Sequence, residues 1–90
     1  MRKLEFWPDF GGRLLWAEDG TSVDLGSLDL PEDLSHEVAA WLAGYDDAKL
    51  PWEGTHDDVW LAEGRRLFAS LRLILQASDI ELVTTEDHWA

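Results

Sequence analysis

Pro31-Glu32-Asp33-Leu34-Ser35-His36-Glu37-Val38-Ala39-Ala40-Trp41-Leu42-Ala43-Gly44-Tyr45 is the stretch in which the chain changes its period. Leu34, Val38, Trp41, Leu42 and Tyr45 fall at i, i+4, i+7, i+8 and i+11, which is one apolar stripe along an α-helix. Pro31 suits the first helical turn, and Glu32 and Asp33 stand where the positive end of the helix dipole favours carboxylates. Gly44 marks the end. Downstream, a second helix is predicted with Thr55 as its cap and Asp58 three residues on, an approximate capping box. Trp60, Leu67, Phe68, Leu71, Ile74 and Leu75 share its apolar face, and Arg65, Arg66 and Arg72 take the other.

Outside the helices the period is two. Lys3-Leu4-Glu5-Phe6-Trp7 alternates before Pro8, Phe10-Gly11-Gly12 reads as a turn, and Arg13-Leu14-Leu15-Trp16 as a second strand. Asp19-Gly20 supplies a pair that tolerates positive φ in a tight hairpin turn leading to a possible third strand, Ser22-Val23-Asp24-Leu25, and Ile80-Glu81-Leu82-Val83-Thr84 alternates again as a terminal strand. The order β-β-(β)-α-α-β predicts an α+β fold: a small, mostly antiparallel sheet of three or four strands, covered on one face by two helices. No repeat, linker or low-complexity tract interrupts residues 1–90, so they read as a single domain.

Nineteen Asp and Glu against seven Lys and Arg give a net charge of −12. Twelve of the carboxylates, with Lys49 as their one cation, lie between residues 17 and 58. The other 48 residues are nearly balanced, with seven carboxylates and six cations. Binding to nucleic acid or to an anionic membrane needs clustered basic surface, so both are disfavoured as partners. A field concentrated in one segment attracts a basic protein instead and raises its association rate. Met1-Arg2-Lys3-Leu4-Glu5 lacks the apolar stretch of a signal peptide and no run is long enough to span a bilayer, so a cytoplasmic address is expected. With no cysteine there is neither a disulfide framework nor thiol chemistry, and a chain of 90 residues leaves little room for an enclosed cofactor pocket. No cofactor is expected.

Six tryptophans stand out. Trp41 and Trp60 lie on the helical stripes and are assigned to the core, and Trp7 and Trp16 to the strands' core faces. Trp52 follows Pro51 in the loop from Tyr45 to Gly54, where no periodic face buries it; it either plugs the space between the helices or serves as an interface anchor. Long ordered loops are often functional. Asp46, Asp47, Trp52 and Glu53 are therefore assigned to partner contact, with Glu32, Asp33 and Glu37 steering. His36, His56 and His88 show no metal-ligand spacing and are read as exposed or capping, and no residue is assigned a catalytic or metal-binding role.

Trp7-Pro8-Asp9-Phe10-Gly11-Gly12 with Leu15-Trp16, Tyr45-Asp46-Asp47 leading to Pro51-Trp52, and Trp60-Leu61-Ala62-Glu63-Gly64 resemble a family of short, acidic, uncharacterised bacterial proteins from GC-rich genomes. The absence of Asn and the scarcity of Lys and Ile agree with such a genome. More loosely, size and charge resemble the immunity proteins that neutralise bacterial toxins. That resemblance implies a non-enzymatic protein-binding module, an immunity-type inhibitor whose acidic face docks on a basic bacterial protein. The alternatives are a nucleic-acid mimic that blocks a DNA-binding protein and a small metal-dependent enzyme using His56, Asp57 and Asp58.

Overall fold

The protein is seen here as a computed structural model, which describes residues 2–46, 49–50, 53–54, 57–85 and 89. The strands are β1 (Arg2–Phe6), β2 (Leu15–Ala17), β3 (Ser22–Val23) and β4 (Ile80–Val83), and the helices are α1 (Glu32–Ala43) and α2 (Asp58–Gln76). Single 3-10 turns occupy Phe10–Gly12 and Leu25–Ser27. This is the predicted α+β order, with the third strand present and short.

Local chemistry sets the sheet register. Gly20 takes φ 86° in the β2–β3 turn, where its N–H donates to the Ala17 carbonyl at 2.9 Å and the Ala17 N–H donates to the Thr21 carbonyl at 2.8 Å. The Asp19 carboxylate accepts from the Thr21 N–H at 3.0 Å and from its hydroxyl at 2.6 Å, closing the turn from the side-chain side. The strand order is β3-β2-β1-β4, with antiparallel pairs on one side of β1 and a parallel pair to β4 on the other. A parallel pair requires a crossover, and α1 with α2 forms it.

Alternation then divides the two faces. Leu4, Phe6, Leu15, Ile80 and Leu82 are buried beneath the helices, while Lys3, Glu5, Trp16 and Glu81 point to the opposite side. Trp7 and Trp16 therefore do not join the core as their sequence assignment expected. Phe6 and Leu15 take the inward positions, so their neighbours Trp7 and Trp16 fall out of phase and are half-buried on the uncovered face.

The helical stripes behave as their spacing predicts: Leu34, Val38, Trp41 and Leu42 are buried on α1, and Trp60, Leu67, Phe68, Leu71 and Leu75 on α2. One boundary differs. The cap of α2 is Asp57, whose carboxylate accepts from the Trp60 N–H at 3.0 Å, and Thr55, the predicted cap, lies outside the described residues. Asp58, expected at the third position after the cap, is instead the first helical residue.

Aromatic rings join the two layers. Phe6 of β1 meets Trp41 at 5.9 Å, Phe68 at 5.2 Å and Trp89 at 5.5 Å between ring centroids. Trp41 and Trp60 stack at 4.4 Å with 14° between planes, and each indole N–H donates to the other residue's carbonyl, at 2.9 and 3.1 Å. This reciprocal pair ties the end of α1 to the beginning of α2 while satisfying both buried indole donors.

Candidate functional site

The acidic segment stays on the surface. Of its twelve carboxylates eleven are described, and ten of those are exposed, Asp57 being the half-buried exception. Several have local tasks as well. Asp57 caps α2, Asp19 closes the β2–β3 turn, and Asp24 accepts from the Gly26 N–H at 2.9 Å to start a 3-10 turn. Hydrogen bonds from the Thr21 side chain, and then from its backbone, hold the Asp19 carboxyl below its ordinary range.

Among the residues assigned from sequence, Glu32, Asp33, Glu37, Asp46 and Glu53 are all exposed, whereas Asp47 and Trp52 lie outside the described residues. The structure does not gather the exposed ones at a point. Glu32 and Asp33 open α1 and Asp46 follows its far end, so a helix of 12 residues separates them, about 18 Å. These acids are thus spread over the length of α1 rather than gathered in a pocket. Along it, Glu32 lies 3.9 Å from His36, and Glu37 accepts from Arg66 Nη2 at 3.0 Å. Arg66 also bonds Glu63 one turn earlier on α2, and this pairing lowers the Glu63 carboxyl and raises the guanidinium.

Past α1, backbone hydrogen bonds link described residues of the loop. The Lys49 N–H donates to the Asp46 carbonyl at 2.9 Å, the Glu53 N–H to the Leu50 carbonyl at 3.0 Å, and the Asp57 N–H to the Lys49 carbonyl at 3.2 Å. Lys49, the segment's one cation, sets its ammonium 5.9 Å over the Trp60 ring. Beside this loop, Val59 in the first turn of α2 is 81% exposed, an apolar side chain next to Asp58 and Asp57.

A second surface was not assigned from sequence. Lys3, Glu5, Trp7, Trp16, Ala17, Glu18, Gly20, Val83 and Thr85 line a groove of about 530 Å³ on the sheet face away from the helices. Glu5 stands opposite Trp16 and beside Val83 in register, and Lys3 lies 3.9 Å from Glu81. The Trp16 indole donates to the Trp7 carbonyl at 2.8 Å, which holds its ring against the strand. The signal for this face was present in the alternation of Lys3, Glu5 and Trp7 with Leu4 and Phe6.

Among the described residues, no three His, Asp or Glu side chains are grouped as a metal ion would require, and no helix is long and apolar enough to cross a membrane. In comparisons with known proteins, no family model, curated protein or solved structure matches the chain.

Proposed function

We propose that the protein is a non-enzymatic binding module, an immunity-type inhibitor that lays its acidic surface on a basic bacterial protein in the cytoplasm. The observation that carries this reading is the exposure of ten of the eleven described carboxylates of residues 17–58, in a segment whose single cation is turned onto Trp60. Exposed charge of one sign along a surface steers and orients an oppositely charged macromolecule. Asp46, Asp47, Trp52 and Glu53 make the contact in this reading, and Glu32, Asp33 and Glu37 steer the approach. The exposed Val59 adds apolar area beside them.

The test is to isolate a basic partner from the native cell and measure its association at rising salt. A partner held by this surface binds about tenfold more slowly when Asp33, Asp46 and Glu53 are replaced by lysine, and loses association rate as salt rises. A partner whose association is indifferent to both changes sinks the proposal. Displacement of the protein from that partner by duplex DNA would move the reading to a nucleic-acid mimic.

A further inference from the structure

We propose that the uncovered face of the sheet takes a basic peptide segment of a protein partner, with an arginine side chain lying in the groove between Trp7 and Trp16 and answered by Glu5 and Glu18. The inference rests on the reading of the protein as an acidic binding module and places the anchor of that binding on a different face from the acids along α1.

Two chemistries converge in the groove. Its two indoles are half-buried, and that of Trp16 is held by its hydrogen bond to the Trp7 backbone carbonyl, so the groove presents aromatic surface. A guanidinium is drawn to such a ring by its quadrupole and is more weakly hydrated than an ammonium, which lowers the cost of bringing it there. The chain already shows this preference, because its own Arg13 guanidinium lies 6.0 Å over the Trp16 ring. The charged side chains of the face supply the complementary sign. Glu5 and Glu18 line the groove with Lys3, whose ammonium lies 3.9 Å from Glu81 at its edge, and Arg13 is the other cation at this face. Glu5 accepts from the Thr85 hydroxyl at 3.0 Å, so its carboxylate is oriented on the sheet between Trp16 and Val83. Val83 and Ala17 leave apolar surface for the methylene stem of the bound side chain.

The probe is an acetylated and amidated Gly-Arg-Gly-Arg-Gly peptide, titrated into the protein at low salt and followed by amide and indole NMR resonances. The expected result is saturable movement of the Trp7 and Trp16 indole signals and of the Glu5 and Val83 amides. The affinity should fall about tenfold in a Glu5→Gln/Glu18→Gln variant and with citrulline in place of arginine. Glu18→Gln alone, at an exposed turn position, is the second variant should the pair disturb the fold. Saturable shifts confined to α1 and residues 46–58 would overturn this inference and leave the acidic-module reading standing. The absence of saturable shifts anywhere would remove both. Movement of the same sheet resonances on dilution without peptide would assign the face to a second copy of the chain and overturn the proposal.

Discussion

Gly64 lies inside α2, where alanine is ordinarily better by about 1 kcal/mol because glycine loses more backbone freedom on folding. Here the sign reverses. A Cβ at this position would overlap Cζ3 of Trp89 and lie 2.5 Å from Cζ2 of Trp41, two rings wedged against each other at 88°. The glycine is the notch that admits both indoles, which also pack against Phe6 and Trp60. Gly64→Ala is expected to destabilise the protein by about 1–3 kcal/mol in urea unfolding, the ordinary cost of overpacking. The loss should shrink when Trp89 is also replaced by leucine, since the two positions share one contact. A midpoint that rises on Gly64→Ala would show that propensity outweighs packing and that the notch is not filled.

Between the helices, the chain meets the problem that a helix start leaves N–H groups without partners. On α2 the Asp57 carboxylate solves it by accepting from the Trp60 N–H, and Trp60 is the residue whose indole stacks on Trp41. The cap therefore also fixes the first turn from which the reciprocal indole pair is made. Asp57→Ala should cost about 1 kcal/mol in thermal or urea unfolding, and Asp57→Asn only a few tenths, because asparagine also caps. Equal losses for the two variants would point to lost charge rather than a lost cap. The helix α1 has no comparable side-chain cap, since Pro31 stands at its N-cap, and Glu32 and Asp33 in its first turn complement the dipole instead. Those two residues serve the helix as well as the acidic surface.

Across the whole molecule, closure depends on a residue almost at the end of the chain. Trp89 is 1% exposed and touches Phe6 of β1, Trp41 of α1 and Trp60 of α2, so one side chain joins sheet and both helices. Trp89→Ala is expected to cost about 3–5 kcal/mol, a large share of the roughly 5–15 kcal/mol that holds an ordinary domain. The measurement is the melting temperature by circular dichroism, and an unchanged value would mean the indole is not part of the core. At this scale the two faces of the sheet also differ: one is sealed by α1, α2 and Trp89, and the other carries the half-buried Trp7 and Trp16 with Glu5 and Glu18.

Periodicity and turn chemistry were enough for the elements. The stripe from Leu34 to Leu42, the face from Trp60 to Leu75 and the Asp19-Gly20 hairpin are local patterns, and local patterns survive folding because neighbours in sequence remain neighbours in space. Composition likewise determined the sign and location of the charge, which burial could not hide because ionised carboxylates are costly to desolvate. What required the tertiary structure was every relation between distant segments. The parallel pairing of β1 with β4, the notch of Gly64 under Trp89, and the turning of Trp7 and Trp16 away from the core depend on which face the helices cover. The span of about 18 Å between the acids at the two ends of α1 belongs with the local patterns, because it follows from helix length. A sequence specifies which side chains can share a face, whereas only packing between elements decides which face is buried and which is left to solvent.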